Sequence, residues 1–191
     1  TDGKRINTAE AIKDNTIIAL YFSAGWCPPC KKFTPKLVEF VKQNENSKAF
    51  TVIFVSSDRS AEEHAKYMKH YKMPFPAMPF DKAQLKQIKQ AYGGNGIPNL
   101  VLLNADGTVI KGSYETNGTY SPKNRKSYIG PDPVLAELGK LIKQDQQLVK
   151  ISGNTGARTQ LSVSNLQGPV QHGEVRLLSS DPLAMNDVRY F

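Results

Sequence analysis

Two stretches of the chain are apolar at almost every position. Thr16-Ile-Ile-Ala-Leu-Tyr-Phe-Ser23 and Thr51-Val-Ile-Phe-Val-Ser-Ser57 lack the alternation of a half-exposed strand and predict strands covered on both faces. Between them the period changes. Phe33, Leu37, Phe40 and Val41 recur at helical spacing, so a helix connects the two strands. A strand, a helix and a second strand of these lengths read as a βαβ unit, with the two strands parallel. Ser60-Ala-Glu-Glu63 has the spacing of a capping box and opens another helix to about His70.

Three prolines in Met73-Pro-Phe-Pro-Ala-Met-Pro-Phe80 force an extended crossing segment. Lys82 to Tyr92 is again helical, with Leu85, Ile88 and Tyr92 facing inward, and Gly93-Gly94 stops it. Ile97-Pro98 leads into a strand at Asn99-Leu-Val-Leu-Leu-Asn104. Asp106-Gly107 then turns the chain into a hairpin partner at Thr108-Val-Ile-Lys111. Residues 113–131 read as a polar loop carrying three tyrosines. Pro133 to about Leu148 is a closing amphipathic helix with Leu135, Leu138, Leu141 and Ile142 on its buried side. The result is an α/β fold: a mixed central sheet, parallel strands first and an antiparallel hairpin last, with helices on both faces. No internal repeat appears.

Length and charge refine this picture. At 191 residues the chain suits one domain over 1–150 and a polar C-terminal extension over 151–191. In the extension Gln160-Leu-Ser-Val-Ser164 alternates like an edge strand, and Val175-Arg-Leu-Leu178 is its candidate partner in an added hairpin. No apolar run approaches the ~18–20 residues of a membrane span. The net charge of +8 (25 Lys+Arg against 17 Asp+Glu) belongs to the first 150 residues, because no lysine follows Lys150. There is no basic run, zinc-finger spacing or aromatic RNA-binding motif, so this charge reads as a solvated surface that steers a protein partner rather than one that grips nucleic acid.

The chemistry lies in Cys27-Pro28-Pro29-Cys30, at the point where a buried strand ends and a helix begins. A sulfur there meets the positive end of the helix dipole and unpaired amide donors, which favour thiolate over thiol. Cys27 is therefore the candidate nucleophile, with an expected pKa below the free value of ~8.5. Cys30, one turn further on, faces the interior and acts second, closing a disulfide and expelling a bound partner. Pro28 and Pro29 stiffen the backbone at no hydrogen-bonding cost to the helix, since first-turn amides have no intrahelical partner. Lys31 and Lys32 add positive potential beside Cys27. Metal binding is not expected: no second Cys pair exists, and His64, His70 and His172 complete no ligand pattern. Haem attachment would need a His where Lys31 stands. A purely structural disulfide over so short a loop stabilises little. The only expected redox group is the Cys27–Cys30 pair itself, with no cofactor.

On the residues alone Pro98 reads as an ordinary trans loop proline. Packed against the cysteines it would instead leave the Ile97 backbone to pair with an incoming extended peptide. The Asn117-Gly-Thr119 sequon reads as chance.

These residues resemble the tryparedoxin/nucleoredoxin branch of the thioredoxin superfamily. The likeness rests on Trp26-Cys-Pro-Pro-Cys30 inside Tyr21-Phe-Ser-Ala-Gly-Trp26, on Phe33-Thr-Pro-Lys-Leu-Val-Glu-Phe40, on Ile53-Phe-Val-Ser-Ser-Asp58, and on the Met73–Phe80 and Gly96-Ile-Pro-Asn-Leu100 blocks in the same order. It covers roughly residues 4–148. The resemblance implies a thioredoxin-like fold, Cys27 as attacking thiol, Cys30 as resolving thiol, Pro98 as a cis proline beside them, and Trp26 as the surface aromatic over the sulfurs. Trp26, Pro28, Pro29, Ile97 and Pro98 form the expected substrate-binding surface. Thioredoxin has a buried Asp six residues before its first Cys; here that place is Tyr21. Asp58 is then either the proton acceptor or water anchor for Cys30, or merely a helix cap near Ser60. Asn99 departs from the family's usual Thr, and neither the 113–131 loop nor the tail has a recognised counterpart.

The expected activity is that of a thiol–disulfide oxidoreductase reducing protein disulfides. Expected partners are disulfide-bearing proteins such as a peroxidase and an upstream thiol reductant, with the chain acting as a monomer. Two alternatives stay open: an extracytoplasmic thiol carrier of the cytochrome-maturation type, and a non-catalytic binding module on the same fold. Two cysteines, both inside the motif, suit a reducing or an oxidising compartment.

Overall fold

A computed structural model describes residues 5–6, 17–154 and 188–189. Its sheet grows outward from the first apolar run, strand β2 (Ile17–Ser23), which is buried along its length from Ile18 onward. β3 (Phe50–Ser56) pairs with it in parallel, from Ile17 opposite Phe50 to Ser23 opposite Ser56. On the other side β4 (Asn99–Leu103) runs antiparallel, with Phe22 opposite Asn99, and β5 (Val109–Gly112) follows as its hairpin partner. The order is β3-β2-β4-β5. A separate short antiparallel pair joins β1 (Arg5–Ile6) to β8 (Val188–Arg189). The strands expected at 160–164 and 175–178 lie outside the described residues.

Because successive residues of a strand point to opposite faces, a strand that is apolar throughout needs cover on both sides. Ala19 and Tyr21 enter a core with Phe33, Leu37 and Val38 of α1 (Pro28–Gln43), Tyr67 and Met68 of α2 (Ala61–Tyr71), and Val134, Leu138 and Ile142 of α4 (Asp132–Asn154). Ile18, Leu20 and Phe22 face the other way, onto Leu85 and Ile88 of α3 (Lys82–Tyr92). Each side chain of this size, fully removed from water, contributes about 1.5–3 kcal/mol. Helix α4 runs to Asn154, past the end expected near Leu148.

Local signals in the sequence act close to where they were read. Ser60 caps α2 by accepting the Glu63 amide at 3.1 Å. The Glu63 carboxylate accepts the Arg59 amide at 3.0 Å, one residue upstream of the capping-box position. The proline-rich segment is extended and lies along the outer edge of β3, where Phe54 N–H bonds Pro76 O and Met78 N–H bonds Phe54 O, both at 2.9 Å.

The reading of 113–131 as a polar loop is corrected. The segment folds into a strap: Tyr114, Ser113 and Ser127 are buried, β6 (Glu115–Thr116) and β7 (Thr119–Tyr120) form a hairpin, and Arg125–Ser127 makes a single 3-10 turn. Asn117 and Gly118 both have positive φ, 51° and 76°, as a two-residue type I′ turn requires. Asn-Gly was thus a hairpin signal before it was a sequon.

Candidate active site

Helix α1 starts on the first cysteine. Cys27 is its N-cap, in extended conformation, and Pro28 and Pro29 occupy the first two helical positions. The Cys30 amide donates to Cys27 Sγ at 3.3 Å, and Lys31 N–H to Cys27 O at 3.1 Å. The first sulfur therefore receives one of the orphan amides of the helix, which a thiolate accepts far better than a thiol. The two cysteines are joined as a disulfide, with their Cα atoms 5.2 Å apart. Cys30 is wholly buried while Cys27 keeps 3% of its surface, so an approaching partner can meet only Cys27. The apolar contacts around the pair are Ala24 and Ile97.

Ile97-Pro98 is a cis peptide, which corrects the trans reading drawn from the residues alone and agrees with what the family resemblance implied. It is brought to the sulfurs across 70 residues of chain. The Ile97 carbonyl oxygen lies 3.7 Å from Cys27 Sγ, a contact that becomes a donated S–H bond only when the pair is reduced. Trp26, next to Cys27 in the chain, is half-exposed and donates its indole N–H to Ser57 O at 3.1 Å. A surface cavity of about 400 Å³, lined by Gly25, Lys31, Asp58, Lys66 and Tyr67, opens on one side of Trp26. A smaller hollow of about 240 Å³, lined by Lys89 and Gly93–Ile97, opens on the other. Pro28 and Pro29 are exposed at the rim.

Asp58 is nearly buried, and no hydrogen bond joins it to either cysteine among the described residues. Its two carboxylate oxygens accept the Gly25 amide and the Ser56 hydroxyl, each at 2.8 Å. It therefore fixes the turn that presents Trp26 and Cys27, and the cap of α2 is Ser60 rather than Asp58. Burial pushes its carboxyl above the usual range, against the opposing pull of those two donors and of the Lys89 charge.

Sequence reading overlooked what surrounds Tyr21. Its hydroxyl pairs with Thr34 Oγ1 at 2.8 Å, and Thr34 also pairs with Tyr67, which in turn pairs with Ser23 at 3.0 Å. Thr34 Oγ1 donates to Cys30 O at 2.9 Å, tying this buried network to the turn that carries the second cysteine. Burial drives the Tyr21 phenol well above its ordinary pKa, so it stays protonated and cannot stand in for a carboxylate. The three strap tyrosines were also missed. Tyr120 donates to Tyr92 O and accepts from Asn99 Nδ2 at 3.2 Å, and Tyr128 donates to Pro98 O at 2.9 Å. Tyr114 lies on Gly94, where a Cβ would come within 2.0 Å of its ring. The signal available was Gly94 itself, read only as a helix stop.

Residues 15–109 match the family described as Thioredoxin-like. Tryparedoxin of Trypanosoma brucei brucei is 39% identical over 97 residues, 50% of this chain and 66% of its own length. Nucleoredoxin of Danio rerio is 39% identical over 108 residues, 56% of this chain but 25% of its own length. The solved thioredoxin of Wuchereria bancrofti is 33% identical, with a TM-score of 0.55 over 73% of this chain and 91% of the other. A Cys-X-X-Cys disulfide at the N-terminus of a helix on this sheet defines a thioredoxin-fold protein. The chain belongs to the thioredoxin-like family, in its tryparedoxin/nucleoredoxin branch. It spans about a quarter or less of the length of the first nucleoredoxins it matches.

Proposed function

We propose that the chain reduces disulfide bonds of other proteins, with Cys27 attacking and Cys30 resolving. The observation that carries this reading is the asymmetry of the pair: only Cys27 has any exposed surface, and it alone receives a helix-terminal amide. In the reduced protein the Cys27 thiolate attacks one sulfur of the substrate. The substrate S–S bond breaks, a mixed disulfide forms, and the released thiolate takes up a proton. Cys30 then loses its proton, its sulfur attacks Cys27 Sγ, and the second substrate thiol departs. Two electrons pass to the substrate and the Cys27–Cys30 disulfide is left, to be reduced again by an upstream thiol. No bound cofactor is required, since the cysteines carry the electrons.

Asp58 takes a positioning role here, through the Gly25 amide. Trp26, Pro28, Pro29, Ile97 and Pro98 supply the rim on which a substrate segment lies, and peroxidases are among the candidate substrates.

Reduction of insulin disulfides with dithiothreitol tests the proposal. Cys27→Ser should bring turnover to the uncatalysed rate, and undiminished turnover in that variant would end the reading. Cys30→Ala should accumulate mixed disulfides at Cys27. A reduction potential near ~−270 to −200 mV fits a reductant, and one near ~−120 mV would reverse the direction of electron flow.

A further inference from the structure

Among the described residues, three large apolar side chains stand out as exposed: Trp26, Tyr128 and Ile129. The first adjoins Cys27 in sequence. The other two come from the strap and reach the same place through the Tyr128 bond to Pro98 O. By strand order they flank the disulfide. Trp26 leans toward the end of β3, through Ser57, and Tyr128 sits at the start of β4. Tyr128 is held there, its ring 4.9 Å from buried Tyr114, and Ile129 N–H is bonded to Ser113 O at 2.9 Å. An exposed aromatic fixed in advance is what a docking face uses, because little side-chain entropy is lost when a partner covers it.

On the Tyr128 side of this face the exposed charge is positive, whereas Asp58 and Glu63 line the cavity beside Trp26. Arg125 and Lys126 belong to the turn just before Tyr128, Lys123 precedes it, and all three are exposed, as are Lys31 and Lys32 beyond Cys30. The acids nearest along the strap are already engaged, Glu115 by Lys111 at 2.7 Å and Asp132 by Lys36 at 2.6 Å.

We infer that Tyr128 and Ile129, with Lys123, Arg125 and Lys126, form the second half of the substrate-docking face, and that its occupant is an extended segment of a protein substrate carrying Asp or Glu beside its cystine. The inference rests on the reductase reading above and specifies its substrate class. The apolar pair covers the segment next to the disulfide, and the cations select its acidic flank. Steering of this kind acts mainly on the association rate.

The test uses two short peptides, each closed by one disulfide, differing only in Asp or Lys beside the cysteines. The pre-reduced full chain is mixed with each in stopped flow and followed by the fluorescence of Trp26, the single tryptophan. The acidic peptide should oxidise the chain about tenfold faster at low salt. That ratio should shrink toward one as the Debye length falls from ~10 Å at 0.1 M salt to ~3 Å at 1 M. In a Lys123→Glu/Arg125→Glu/Lys126→Glu variant the low-salt ratio should collapse or invert. Equal rates for the two peptides on the unaltered chain would overturn the inference without any variant, and so would a ratio that survives the charge reversal. The neutral disulfide 4,4′-dithiodipyridine separates the two levels. Failure with it and with both peptides sinks the reductase reading, whereas reaction with all three at peptide rates that do not differ sinks only the docking face.

Discussion

The two flanks of the disulfide are held in place by different physics. On the β3 side, a nearly buried carboxylate does the holding: Asp58 takes the Gly25 amide and the Ser56 hydroxyl, and Trp26 is anchored on the neighbouring Ser57 carbonyl. On the β4 side, aromatic area does it. Three tyrosines of the strap lie on the segment from Tyr92 to Asn99, and two of them hydrogen-bond its carbonyls. Failure should therefore differ as well. The charged flank depends on a few directional bonds and on protonation, while the aromatic flank depends on close packing that even one added carbon disturbs.

The largest effect is expected at Gly94. A Cβ there would lie 2.0 Å from Tyr114 Cε2 and 2.4 Å from Cδ2, and the ring cannot yield easily because Tyr114 is only 4% exposed. Gly94→Ala should cost about 3 kcal/mol in chemical denaturation, at the upper end of overpacking penalties. It should also lower the insulin-reduction rate through the displaced Pro98 loop. A loss under about 0.5 kcal/mol, within the usual range of a surface substitution, would show that the strap does not brace that loop.

How much of this was legible follows from the range of each interaction. The sheet was readable because Ile17–Phe22 and Val52–Val55 are apolar without interruption, a pattern compatible with few alternatives. The dithiol was readable because its geometry is made within four residues, by a helix that begins where Pro28 permits. Pro98 was not, on residues alone: cis and trans X-Pro differ by only ~0.5–1 kcal/mol, so packing from elsewhere decides. The strap was less legible still. Its tyrosines have neither the period of a helix nor that of a strand, and each serves a backbone segment some 20 to 30 residues away. Yet Asn117-Gly118 did announce the hairpin. Asp58 fell between, since the sequence placed it at a strand end but could not show that its partners would be Gly25 and Ser56 rather than the first turn of α2.

A middle-sized effect belongs to the charged flank. Asp58→Ala leaves the Gly25 amide and the Ser56 hydroxyl without their acceptor, at a cost of about 2 kcal/mol for buried donors. Asp58→Asn retains an acceptor for Gly25 and should cost less. The two flanks separate most clearly in pH. The folded-state pKa of Asp58 is raised, so the folded protein binds the proton more tightly than the unfolded chain does. The stability this gives is fully present below the unfolded pKa of ~3.9 and is lost as pH rises through the folded value. Asp58→Asn removes that slope from a stability–pH curve, and Gly94→Ala leaves it in place. An unchanged slope in Asp58→Asn would mean that another group produces it.

The smallest effect is at Tyr128. Its side chain is about half exposed, and Tyr128→Phe removes only the hydroxyl that donates to Pro98 O. One hydrogen bond with water at hand is worth about 0.5–1 kcal/mol, so the stability loss should stay in that range. Packing against Tyr114 survives, because the ring does. If the aromatic flank works through area rather than hydrogen bonding, Tyr128→Phe keeps most of the insulin-reduction rate while Gly94→Ala does not. The reverse order, with Tyr128→Phe the more damaging, would make the hydroxyl the element that positions Pro98 and would reduce the difference between the flanks to one of chain location.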